Sequence, residues 1–93
     1  MPVYFDYKAS EKDLMKIPGV GKKTAGDLIA LGYTSVESLK GEDPEEIYAR
    51  LCIMQGGNSD RCNLYVYRLA VYFAENEGKN PNPSLLLWWN WKD

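Results

Sequence analysis

Histidine is absent from the 93 residues. That removes Ser/His/Asp and Cys/His nucleophile systems, histidine general bases, and every zinc site except all-cysteine or carboxylate ones. Cysteine is nearly absent as well: Cys52 and Cys62 stand ten positions apart with no Cys-x-x-Cys pair, too few for a metal site or a disulfide framework. They read as reduced, half-buried thiols. No catalytic or metal-binding residue is expected, and the chain reads as a non-enzyme. Long hydrophobic runs are missing too, since stretches such as Leu69 to Ala74 and Leu85 to Trp89 fall far below the roughly 20 residues that span a bilayer. Met1-Pro2-Val3 opens nothing like a signal peptide, so the expectation is a cytoplasmic protein with no membrane contact. Nor is there an excess of positive charge: 11 basic residues against 13 acidic ones exclude coating nucleic acid by bulk charge.

What remains is an ordinary globular balance, 45% hydrophobic and 26% charged, in a length that suits one small domain. The charge is unevenly spread. Met1 to Tyr33 holds five Lys against four acids, whereas Thr34 to Asp93 holds six basic against nine acidic residues, so an anion site belongs in the first third.

Capping patterns divide the chain into helices. Ser10-Glu11-Lys12-Asp13 has the serine and the carboxylate three positions on that open a helix carrying Leu14, Met15 and Ile17 inward, and Pro18 ends it. A second helix runs from about Lys22 to Leu31 with Ala25, Leu28, Ile29 and Leu31 on one stripe, and Gly32 stops it. Thr34 opens a short connector through Leu39. Asp43-Pro44-Glu45-Glu46 starts a fourth helix with Ile47, Leu51 and Met54 inward, and proline at the first helical position costs nothing there. Asn58 or Ser59 caps a long fifth helix to about Glu77, with Gly78 as its stop and Cys62, Tyr65, Leu69 and Phe73 as its core stripe, widened by Val66, Ala70 and Tyr72. Val3 to Tyr7 is the only extended candidate and is too short to build a sheet. The class is all-α, with a short C-terminal helix or turn.

The stretch from Leu14 to Gly32, centred on Pro18-Gly19-Val20-Gly21-Lys22-Lys23-Thr24, resembles the helix-hairpin-helix signature along its whole length. The resemblance implies that Pro18, Gly19, Val20, Gly21, Lys22, Lys23 and Thr24 bind the DNA phosphate backbone without reading bases. It also implies a monovalent cation at the hairpin carbonyls and otherwise no cofactor. The physics agrees, because free donors at a helix start together with the positive end of the helix dipole attract an anion. Lysine is mildly unfavourable at that end, so two in the first turn suggest a purpose other than helix stability. The competing reading is a compact turn with two solvated lysines.

Shifting the sequence by 36 places sets Ile53-Met54-Gln55-Gly56-Gly57 under Ile17-Pro18-Gly19-Val20-Gly21, which suggests a tandem pair with Ile17 and Ile53 in equivalent places. Asn58, Ser59 and Asp60 replace the two lysines and the threonine, and Asp60 would repel a phosphate. The second unit therefore reads as structural. Arg61 and Arg68 are either DNA contacts or solvated partners of Asp60, Glu75 or Glu77, and Tyr4, Tyr7 and Tyr67 are either packing or base-stacking residues.

Trp88-Trp89-Asn90-Trp91-Lys92-Asp93, with Arg68-Leu69-Ala70-Val71-Tyr72-Phe73, resembles a small bacterial family of helix-hairpin-helix proteins labelled pathogenicity-locus or mitomycin-resistance-like. The expected layout is an extended arm at 1–9, a tandem helix-hairpin-helix (SAM-like) domain of five helices at 10–78, and a Trp-rich segment at 79–93 packed on it. The expected function is sequence-independent, non-enzymatic DNA-backbone binding. The alternative is a protein interaction domain that uses the acidic Glu42 to Glu46 surface or pairs with a partner or a second copy through Trp88, Trp89 and Trp91.

Overall fold

In a computed structural model of the chain, which describes residues 6–92, the described residues form four α-helices and three 3-10 turns, with no strand. The helices are α1 (Tyr7–Leu14), α2 (Lys22–Ala30), α3 (Pro44–Met54) and α4 (Cys62–Glu75). The 3-10 turns span Glu37–Leu39, Pro83–Leu86 and Trp88–Trp91. The all-α class therefore holds.

Helix starts follow the strongest available cap. The side chain of Asp6 accepts the Ala9 N–H at 3.1 Å, so α1 begins at Tyr7 instead of Ser10, and residues 7–9 are helical where an extended arm was expected. Val3, Tyr4 and Phe5 lie outside the described residues. Asp43 caps α3 through the Glu45 N–H with Pro44 at the first helical position, as its sequence suggests. In the connector Ser35 and Ser38 cap each other in place of the expected Thr34: the Ser38 N–H donates to Ser35 Oγ at 3.1 Å and the Ser35 N–H to Ser38 Oγ at 3.3 Å. Helix α4 starts at Cys62, later than the Asn58 or Ser59 cap, because the Asp60 carboxylate accepts the Cys62 N–H at 2.8 Å. Gly32 and Gly78 both adopt positive φ (99° and 79°) just beyond α2 and α4, the stop conformation glycine tolerates best.

The helices pack as two pairs, α1 on α2 and α3 on α4, and α4 also carries the connector and both tail turns. One apolar cluster joins Leu14, Ile17, Val20 and Leu28 to Leu51, Tyr67, Leu69 and Ala74. Polar links tie the pairs together. Asp13 on α1 accepts the Val36 N–H at 2.8 Å, and Arg50 on α3 donates to Leu31 O at 2.6 Å and to the Tyr33 hydroxyl at 3.1 Å.

Several inward assignments change. Met15 and Met54 are exposed, Cys62 is exposed, and Ile53 is 79% exposed while Ile17 is 1% exposed, so the two isoleucines are not equivalent. The 36-residue shift fails there because α3 runs to Met54 and carries Ile53 on its solvent face, whereas α1 ends at Leu14 and Ile17 follows in the turn. Tyr67 is fully buried and is no stacking residue; Tyr7 is exposed. Arg68 pairs with Glu45 at 2.7 Å and donates to Trp91 O at 2.7 Å, so it serves the fold, with a partner on α3 that was not among those expected.

Two consequences can be measured. The buried Tyr67 hydroxyl has no described partner, and a buried unsatisfied hydroxyl is destabilising. Tyr67→Phe should therefore raise stability by about 1 kcal/mol in urea denaturation; a loss of that size would reveal a hidden partner. The Val36 N–H, aided by Lys16, holds the Asp13 carboxyl below its ordinary pKa despite partial desolvation. Its contribution is thus full above about pH 4 and disappears as pH falls through the lowered value. Asp13→Ala should cost about 1 kcal/mol at neutral pH, a difference that closes in acid.

Candidate nucleic-acid interface

The turn from Pro18 to Gly21 joins α1 to α2 and is anchored by two inward side chains, Ile17 and Val20, which are 1% and 6% exposed. With Val20 buried, that residue meets a ligand with its backbone alone, and its N–H already donates to Ile17 O at 3.1 Å. Gly19 has φ of +86°, which disfavours any side chain. Gly21 is different. Its φ of −98° and ψ of −171° are ordinary extended values, and a β-carbon there would meet nothing within 4 Å. Neither the backbone nor the packing of this fold requires glycine at 21.

Gly21 is the N-cap of α2 and supplies no capping side chain. As a result the backbone N–H groups of Gly19, Gly21, Lys22, Lys23 and Thr24 donate to no described protein atom. Four of them, from Gly21 to Thr24, are the free donors of a helix start, at the positive end of its dipole, where an anion is attracted. Lys22 and Lys23 are exposed on the same first turn and Thr24 is half-buried. Lys23 lies 3.5 Å from Asp27, a loose (i, i+4) surface pair that leaves its side chain 78% exposed.

In the turn between α3 and α4 the glycine donors are satisfied, whereas the N–H groups of Asn58, Ser59 and Asp60 donate to no described protein atom. Gly56 N–H donates to Ile53 O at 3.2 Å and Gly57 N–H to Cys52 O at 2.7 Å. At the start of α4, Asp60 takes the Cys62 N–H on its side chain and the Asn63 N–H on its carbonyl, while Leu64 N–H donates to Arg61 O. The Cys62 N–H also holds the Asp60 carboxyl below its usual pKa, so a carboxylate charge stands where an anion would have to approach. The two helix starts thus differ in their free donors and in charge, with lysines at α2 and a carboxylate ahead of α4.

The carbonyls of Pro18, Gly19 and Val20 accept no hydrogen bond from a described residue, whereas those of Ile17 and Gly21 accept from Val20 and Ala25. Among the described residues no group of three or more His, Cys, Asp or Glu side chains gathers as a metal site.

One neighbour of the turn was not legible in the sequence. A β-carbon at Gly19 would lie 3.6 Å from Trp88 Cδ1 and 3.7 Å from Leu69 Cδ2, so the C-terminal tail abuts the turn. Lys92 Nζ stands 5.6 Å from the centre of the Trp88 ring. Tryptophan so near the chain end signals docking; where it docks depends on the path of α4, which local sequence does not give.

Residues 7–93 match the family described as pathogenicity locus. A mitomycin resistance protein of Streptomyces lavendulae is 30% identical over 79 residues, covering 85% of this chain and 70% of its own length. No solved structure matches the chain significantly. No helix among the described residues is long and apolar enough to cross a membrane. With nearly its whole length matched, the chain belongs to the pathogenicity locus family.

Proposed function

We propose that this protein is a non-enzymatic, cytoplasmic module that holds the phosphate backbone of DNA, without sequence preference, at the turn between α1 and α2. In this reading the molecule is a tandem of two helix-hairpin-helix units in which only the first hairpin is functional. The carrying observation is the contrast between the two helix starts: the N–H groups of Gly19 and of Gly21 to Thr24 have no described protein partner, while at the start of α4 those of Cys62, Asn63 and Leu64 are taken by Asp60 and the Arg61 carbonyl. Phosphate oxygens accept from the five N–H groups, and Lys22 and Lys23 add attraction that does not depend on base identity. A monovalent cation on the Pro18, Gly19 and Val20 carbonyls would add positive charge beside the same phosphate.

A second reading is a protein interaction domain. It is favoured by Ile53 and Met54, which are 79% and 44% exposed at the end of α3. The acidic stretch Glu42 to Glu46 supports it less, because Glu45 is engaged by Arg68.

Duplex binding measured against salt separates the two readings. A site that neutralises two or three phosphates gives weak affinity and a slope of log K on log salt near −2 to −3, at roughly 0.9 per phosphate. Lys22→Glu with Lys23→Glu should lower affinity at least about tenfold for all sequences and leave the fold intact. Gly21→Ser supplies the missing cap, so it should keep or raise the melting temperature while its hydroxyl competes for the same donors and weakens binding. Absence of wild-type binding at low salt, or equal binding by the wild type and both variants, would leave the turn structural and favour the protein interaction reading.

A further inference from the structure

The C-terminal tail places aromatic surface beside the anion site, and part of it is surplus to the core. Trp91 stacks at a tilt on Tyr72 with ring centres 5.5 Å apart, and its indole N–H donates to Leu85 O at 2.8 Å. Arg68 donates to Trp91 O, and the Asn90 amide donates to Ser84 O at 2.6 Å, so the tail is fixed in position. Trp88 and Trp91 pack against the core cluster; Trp89 does not belong to it and is 49% exposed. Trp89 meets Trp88 edge to face, with centres 5.8 Å apart and planes at 84°. Trp88 in turn abuts Gly19, and Lys92 stands over it. A continuous path therefore leads from free backbone donors, past one half-buried indole under a cation, to an exposed indole held by a rigid turn.

We propose that Trp89, supported by Trp88, is a stacking platform for an unpaired base whose phosphate lies in the turn, which makes single-stranded nucleic acid the preferred partner of this surface. The inference rests on the phosphate reading above and adds the form of the strand. Base-aromatic stacking tolerates any sequence because every base has a π face, and the combination of cations with aromatic surface fits a charged backbone carrying such faces. In a duplex those faces are covered by neighbouring bases. A protein partner would use the indole but would leave the three lysines and the free amides without a role.

Fluorescence anisotropy at low salt tests this with three probes: labelled oligo-dT, an abasic strand with the same number of phosphates, and a duplex. Wild type should bind oligo-dT about tenfold more tightly than the abasic strand. Trp89→Ala should bind the two equally, Trp89→Phe should restore most of the difference, and duplex affinity should be unchanged in both. Since Trp89 lies outside the core, thermal melts should confirm that both variants fold. Trp89→Ala binding oligo-dT as wild type does, while Lys22→Glu with Lys23→Glu abolishes binding, would overturn the stacking platform and leave the phosphate site standing. Binding of none of the probes would overturn both. Loss of self-association in Trp89→Ala, with oligo-dT binding intact, would assign the indole to a protein contact and overturn the proposal.

Discussion

The apolar surface of α4 is wider than any single neighbour can cover, and the arrangement of the whole molecule follows from covering it. Of its residues Leu64, Val66, Tyr67, Leu69, Ala70, Val71 and Ala74 are buried, a set that points in several directions around the helix axis. Helix α3, the connector, and both turns of the tail each take part of that surface. Burial of each large side chain is worth about 1.5 to 3 kcal/mol, so a chain of this size has strong reason to gather every apolar segment around one helix. The same gathering brings Leu69 and Trp88 against Gly19, which braces the turn between α1 and α2.

Function is then a matter of which polar groups the fold leaves unpaired. Helix starts normally satisfy their free N–H groups with a side chain, and α1, α3 and α4 do so through Asp6, Asp43 and Asp60. Helix α2 has glycine there and lysines after it. That choice leaves α2 less stable than a capped helix would be and, in the proposed function, leaves its donors to a phosphate. Asp60 at the other turn has the opposite effect, since it satisfies the helix and repels an anion in one residue.

Local chemistry was the legible part of the sequence. The start of α2 at Lys22, the start of α3 at Pro44 with its Asp43 cap, and the stops at Gly32 and Gly78 follow from residues within a turn of each boundary. So did the turn from Pro18 to Gly21 ahead of α2, apart from the inward position of Val20. The errors arise where several local solutions compete. Asp6 outdid Ser10 as the cap of α1, and the turn at Asp60 outdid Asn58 and Ser59 ahead of α4. On α4 nearly every position is apolar, so periodicity selected Cys62 and missed Tyr67. The twofold shift failed at Ile53 for a related reason: the apolar residue matches its counterpart in type, while α3 continues past the point at which α1 has ended. Long-range placement, above all Trp88 against Gly19, has no local signal.

The central claim is that unpaired backbone amides in one of two similar turns bind phosphate. Amide chemical shifts followed by ¹H–¹⁵N correlation spectra during titration with a short oligonucleotide report on those groups directly. The account predicts shifts concentrated at Gly19, Gly21, Lys22, Lys23 and Thr24, with Gly56, Gly57, Cys62 and Asn63 unmoved. Shifts centred on the second turn, or none at saturating oligonucleotide, would contradict it.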